Sequence, residues 1–407
     1  MRQATVFGFL LAVWQCIGSG QPSAGVTSSY EAHRWFELRD AVVDAKAPTF
    51  YRGIVASAFN QAREAEKRFR SVIRIAPESE QAYAARAQLV YLHWRAGRNR
   101  EALAELDEML RAKPDAADAK KFRGLFAAMS RYPKQSLTER HFSRMRYRMT
   151  GGNLFIPVSI DGRSTNLVFD TGANFSAIST SEAERLGLAV NTGGAKGLSD
   201  SGGAKFEVHH VAFAAELAVG NVRMRNVAFL VLPDERFADI PAGDRGILGL
   251  PVILAFETVR WKADGTFEIG FRPATRHIRK SNLCFEGAMP IVQMGFRNCK
   301  IDMLLDTGAV GTGLYPRFQE EFGSIVNGSG NRGSTRSVGA GGSTEIDVIT
   351  LPELVLQLGG FTSALRPARV LLKDVGFPWQ HGCLGMDFLS QARVVTLDFK
   401  SMTLDLE

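Results

Sequence analysis

Two aspartates stand in the same tetrad, Asp-Thr-Gly-Ala, 136 residues apart: Asp170 and Asp306. Each closes an apolar run, "NLVF" before Asp170 and "DMLL" before Asp306. Each is followed 79 residues later by a glycine in a short apolar segment, Gly249 in "ILGL" and Gly385 in "CLGM". Two carboxylates held within hydrogen-bonding distance cannot both ionise cheaply, so they share a proton and titrate in two separated steps. The ionised member can draw a proton from a water while the protonated member polarises a carbonyl, which is acid–base hydrolysis without a covalent intermediate. A single aspartate lacks the complementary acid. The chemistry therefore requires both copies, with Asp170 and Asp306 as the catalytic pair. Gly172 and Gly308 let the backbone turn tightly beside the carboxylates and leave room for a substrate.

Other candidate chemistry is weaker. His209, His210 and His381 have no partners at ligand spacing, and the cysteines form no CxxC pair, so neither a metal nor a cofactor is expected. Ser199 and Ser329 sit in glycine-rich stretches that lack the strand–turn–helix context of a serine nucleophile.

The elements that must position the two aspartates make up the second part of the chain. From Gly151 onward short apolar runs alternate with Gly, Asn and Asp turns, as in an all-β region. Asp161-Gly162 marks a hairpin turn. The β region contains itself twice, and both copies end in a paired-strand pattern, "VRWKADGTFEIGF" and "VVTLDFKSMTLDLE". Between the aspartate and the later glycine, each copy carries a glycine-rich stretch. These stretches are candidate flaps around Gly202 and Gly203 and around Gly341 and Gly342; the competing reading is ordinary flexible loops.

On these features residues 149–407 resemble the retropepsin-like aspartic proteases, with two lobes fused in one chain. The DTGA loops and the "ILGL" and "CLGM" segments carry the resemblance. It implies that each aspartate lies in a loop at a pseudo-twofold interface, with the Leu-Gly segment (Gly249, Gly385) packed beneath it. It also implies that the Thr171 and Thr307 hydroxyls hydrogen-bond across that interface. An extended peptide or protein would be the substrate, closed over by the flaps. One departure is visible: Met386-Asp387 follows the family pattern in the second copy, but Leu250-Pro251 in the first lacks the acidic residue.

Residues 28–131 have a different texture, rich in Ala, Arg, Glu and Leu and poor in Gly. Counting back from Pro77 and Pro114 gives Ala65 and Ala102 at twelve residues, and Phe69 and Leu106 at eight. Small residues allow close helix approach, large ones fill the groove, and the prolines end each pair. This resembles tetratricopeptide repeats, with flanking helices as caps, and implies a surface for a protein partner. A basic segment over residues 132–150 reads as a linker or edge strand, and a second lies at residues 272–280.

The chain has 407 residues, 45% of them apolar and 22% charged, with a net charge of +7. This is ordinary for a globular protein, and the mild basicity identifies no partner. Nucleic-acid binding is not expected, because the basic segments have no interleaved aromatics. The N-terminus reads as an export signal over residues 1–20: Arg2, an 11-residue apolar core too short to span a bilayer comfortably, and small residues before Gln21. A lipid anchor at Cys16 is disfavoured by the bulky Gln15 before it. Of the remaining cysteines, Cys284 and Cys299 flank an expected hairpin and are read either as a disulfide or as free thiols.

The expected architecture is an export signal (1–20), an all-α helical region (28–131), a linker (132–150) and two β lobes (151–275 and 281–407). The expected activity is that of an exported aspartic endopeptidase. It would act as a monomer, since one chain supplies both aspartates. The competing reading is an inactive protease-like scaffold that binds partners through its helices.

Overall fold

A computed structural model describes residues 24–43, 47–199, 203–272, 280–339 and 341–407. The export signal, Cys16, Gly202 and most of the second basic segment lie outside the described residues.

The helical region contains α1 (Ala24–Glu31), α2 (Trp35–Val42), α3 (Thr49–Ala58), α4 (Ala62–Ile75), α5 (Glu80–Arg95), α6 (Asn99–Ala112) and α7 (Ala117–Met129). Pro77 and Pro114 fall just beyond α4 and α6, where a missing N–H and a fixed φ cannot continue a helix. Ser79 starts α5 by accepting a hydrogen bond from the Ala82 N–H at 3.1 Å. Ala65, Phe69, Ala102 and Leu106 are all fully buried. A Cβ at Gly53 of α3 would lie 2.7 Å from the Phe69 ring, so the glycine sets how closely the two helices approach. Glu105, buried on α6, accepts from Arg70 of α4 and from Arg86 of α5 at 3.0 Å, tying adjacent helix pairs together.

The first lobe is a nine-stranded sheet in which Lys205–Val219 and Val222–Leu232 also pair with each other, bringing the sheet back on itself. Its hairpin Asn153–Ile160/Arg163–Phe169 turns at Asp161 and Gly162, both with positive φ (48° and 80°), as a two-residue hairpin turn requires. The second lobe is a ten-stranded sheet. The paired strands that end each copy join the two lobes. Thr258–Lys262 pairs antiparallel with Val394–Asp398 at the centre of a five-stranded sheet.

The segment 132–150 is built into this architecture instead of running free as a linker. Ser136–Arg140 is an edge strand of the first lobe's sheet, Ser143–Arg146 an edge strand of the inter-lobe sheet, and Arg148–Thr150 pairs with Asn153–Ile160. Within it, Arg144 reaches the buried Glu268 at 2.8 Å and offsets its charge.

Cys284 and Cys299 are free thiols, which overturns the bridged reading. The register explains why. On the strand Met289–Phe296, Cys284 lies opposite Ile291 and Cys299 opposite Phe296. Five residues of extended strand, about 16 Å, separate positions that a disulfide needs within about 7 Å.

The helical layer packs on both lobes. Toward the second lobe, Arg39 bonds Ser281, the Asn60 side chain donates to the Phe399 carbonyl, and Arg95 lies over the Phe285 ring at 4.4 Å. Toward the first, Tyr132, just past α7, stacks on Phe213 at 3.8 Å and Trp94 on Phe175 at 4.5 Å.

Candidate active site

Each aspartate ends a strand that lies beside its own copy's Leu-Gly segment. Arg163–Phe169 runs parallel to Gly246–Leu248, and Cys299–Leu305 runs parallel to Gly382–Leu384. The backbone N–H of Asp170 donates to Leu248, and that of Asp306 to Leu384. The chain then turns, and the Ala173 and Ala309 carbonyls accept from Leu250 and Met386, at 2.8 Å in both copies. The glycines between must lack side chains. A Cβ on Gly249 would lie 2.3 Å from the Phe175 backbone, and one on Gly385 2.7 Å from that of Gly311. Gly249 and Gly385 therefore sit beneath the aspartate loops.

The threonines lock the two loops together. Thr171 Oγ1 donates to the Leu305 carbonyl at 2.8 Å and accepts from the Thr307 N–H at 3.1 Å. Thr307 Oγ1 donates to the Phe169 carbonyl at 2.7 Å and accepts from the Thr171 N–H at 3.0 Å. Both threonines are fully buried. The lock brings the carboxylates into contact. A Cβ on Gly172 would fall 2.4 Å from the Asp306 carboxyl carbon, and one on Gly308 2.3 Å from that of Asp170. Each glycine thus holds open the space that the opposite carboxylate occupies.

Within each loop, one carboxylate oxygen is fixed by backbone donors. Asp170 Oδ1 accepts from Gly172 and Ala173 at 2.8 and 2.9 Å, and Asp306 Oδ1 from Gly308 and Ala309 at 2.9 and 3.1 Å. Burial, the Asp306 charge and the hydrogen bond between the pair hold the Asp170 carboxyl well above the usual carboxylate range. Burial also raises Asp306, but there the Asp170 hydrogen bond and the backbone N–H groups oppose it. The same backbone opposition acts at Asp170, and the two buried carboxyls in contact share one proton and titrate as a pair. Such a site can present an acid and a base to the same bond.

Behind the loops, Ser176 and Thr312 stand six residues after their aspartates. Their hydroxyls accept from the Gly249 and Gly385 N–H groups, each at 3.0 Å. Overlaying the two repeats would have revealed this shared hydroxyl position. In the second copy Asp387 ties Thr312 down further, accepting from its N–H at 2.8 Å and its hydroxyl at 2.6 Å. In the first copy Pro251 replaces that acid. There the support comes from outside the lobe: Gln135 donates to the Pro251 carbonyl, and the Trp94 indole to the Asn174 carbonyl, each at 2.8 Å.

The candidate flaps are both hairpins. Ala189–Ser199 pairs with Lys205–Val219, and Asn331–Gly339 with Gly342–Leu351. Their ends meet, since a Cβ on Gly341 would lie 2.5 Å from that of Ala204. Gly203 (φ +79°) rests against Val375 of the second lobe, and Gly342 (φ +104°) against Arg236 of the first. The first flap is bulged, and its base sits against α7, where a Cβ on Gly124 would be 2.7 Å from the Gly194 carbonyl. His381 is structural: it accepts from the Asp302 N–H at 3.1 Å and pairs with Glu321 at 3.0 Å. Among the described residues no His, Cys, Asp and Glu cluster could hold a metal ion.

Residues 156–252, most of the first lobe, match the model of a family described as aspartyl protease. Among solved structures, the chain is similar to a retropepsin-like aspartic protease from Rickettsia conorii (15% identity, 34% of this chain and 95% of that one, TM-score 0.22). It is also similar to basic 7S globulin from soybean (10% identity, 66% and 94%, TM-score 0.37). A third is conglutin gamma, a basic 7S globulin from lupine seeds (9% identity, 65% and 94%, TM-score 0.37). No curated protein sequence matches.

Proposed function

We propose that the protein is an exported aspartic endopeptidase that hydrolyses peptide bonds with a water held between Asp170 and Asp306. The observation that carries this reading is the locked pair of buried carboxyls, in contact across a twofold interface of DTGA loops, where burial holds both above the usual carboxylate range. In the forward step Asp306 takes a proton from the water as its oxygen attacks the scissile carbonyl carbon, and Asp170 gives its proton to the carbonyl oxygen. Collapse of the tetrahedral intermediate returns a proton to the leaving nitrogen and restores the singly protonated pair. The paired flaps suit an extended peptide, which would bind by backbone hydrogen bonds like an added strand. One chain supplies both halves of the site, so a single copy suffices.

Cleavage of a mixed peptide library, read by mass spectrometry, tests the reading. Asp170→Asn and Asp306→Asn should each lower kcat/KM by about 10³-fold or more, consistent with loss of an acid or base, while circular dichroism stays unchanged. A statine-type inhibitor should abolish the parent's cleavage. Undiminished cleavage in both variants would sink the proposal.

A further inference from the structure

The two halves of the site are alike in backbone but not in what stands behind each carboxylate. On Gly382–Leu384, the strand that pairs parallel with the one leading to Asp306, Cys383 directs its thiol at Asp306 Oδ2, with sulfur and oxygen 3.7 Å apart. The register defines its counterpart: Cys383 pairs with Leu304 as Ile247 pairs with Val168, each two residues before its aspartate. Ile247 has nothing to donate. A second difference lies behind the thiol. The buried Tyr315, stacked on Phe377 at 5.7 Å, brings its hydroxyl to the same sulfur, whereas the equivalent residue of the first copy is Ser179.

We propose, on the reading of the site given above, that Cys383 is a positioning residue that makes the dyad asymmetric: its thiol donates to Asp306, selects that carboxylate as the ionised base and leaves the shared proton on Asp170. Burial and the neighbouring Asp306 charge raise the thiol well above its ordinary range, so it stays protonated and acts as a donor at any pH at which the pair works. The same contact lowers Asp306 relative to what burial alone would produce. The titratable groups facing Asp306 are Asp170 across the interface and Cys383 from its own lobe, with Tyr315 behind the thiol. A donor to the charged form of one carboxylate favours ionisation there and not at its twin.

The test compares Cys383→Ala and Cys383→Ser with the parent across pH. In kcat/KM, the alanine variant should move the acid limb upward by about half to one pH unit, the scale of one weak donor lost to a charged group. That lowers activity on the acid side roughly three- to tenfold and leaves the plateau unchanged. Serine, which keeps a donor, should hold the limb in place. A limb that stays put in alanine, or moves equally in both variants, overturns the proposal. Thermal unfolding provides a reading that needs no turnover. The thiol stabilises only ionised Asp306, so the Tm deficit of Cys383→Ala should be larger above the Asp306 midpoint and shrink below it. A cavity alone gives a deficit independent of pH, which also overturns the proposal. If the parent cleaves no peptide, the endopeptidase reading fails, but the Tm comparison still decides the role of the thiol.

Discussion

At the residue scale, the site depends on two hydroxyls as much as on two carboxylates. Replacing Thr171 by valine preserves shape but removes both bonds of its hydroxyl, leaving the Leu305 carbonyl and the Thr307 N–H buried without partners. Each orphaned group costs about 1–3 kcal/mol, so Thr171→Val should destabilise by about 2–6 kcal/mol, and Thr307→Val by a similar amount through Phe169 and Thr171. Serine keeps both bonds and loses one methyl group, about 1 kcal/mol. Chemical denaturation of the four variants checks the order; equal losses for serine and valine would show that the hydroxyl lock contributes nothing. Asp170, Asp306 and their glycines were legible in the sequence because the duplicated spacing is itself a signal. The carboxylate-tuning contact was not. Cys383 can be matched to Ile247 by overlaying the repeats, but whether a thiol at that position meets a carboxylate depends on where the backbone places it.

At the element scale, the two aspartate loops are supported differently, and helix α5 accounts for the difference. Four residues after Asp306, the Val310 carbonyl accepts from the Asp387 N–H at 3.1 Å, a donor that Pro251 cannot supply in the first copy. Four residues after Asp170, the Asn174 carbonyl is held by the buried Trp94 of α5, whose ring also covers Phe175. This helix therefore takes part in orienting the first aspartate loop, in the copy that lacks the supporting acid. Trp94→Phe keeps most of the apolar contact and removes the indole N–H. Displacement of reacting groups by about 1 Å can cost up to about 10²-fold; a smaller shift here should lower kcat roughly tenfold with KM little changed. Steady-state kinetics on a cleaved peptide decide this, and an unchanged kcat would show that the loop holds itself. No periodicity or motif in the sequence pointed to this contact, because Trp94 reads as one more apolar residue on a helix until its partner, 80 residues away, is known. The flaps were partly legible: glycine marked their ends, whereas the bulges and the α7 contact that anchor only the first one are products of tertiary packing.

At the scale of the whole molecule, the helices form one layer shared by both lobes, and that constrains what they can be for. The resemblance to repeats of this kind implied a surface for docking a protein partner. Yet Tyr91 sits against Gly287, Arg95 covers Phe285, His33 and Trp35 bond Glu286 of the second lobe, and Trp94 and Tyr132 cover Phe175 and Phe213 of the first. Besides the inter-lobe sheet, the threonine lock and the meeting flap ends, this layer is a further connection between the lobes. Removing it would expose buried aromatic faces on both lobes at once, an apolar surface that a monomer does not tolerate well. A chain beginning at residue 133, which keeps every strand of the three sheets, should therefore be less soluble than the parent, unfold at lower temperature and lose cleavage of even a short peptide. A docking arm predicts another pattern: short-peptide cleavage intact, and only cleavage of a folded protein substrate impaired. Measuring both substrates on the truncated and full-length chains separates the two, since a brace fails on both and a recruiter on one.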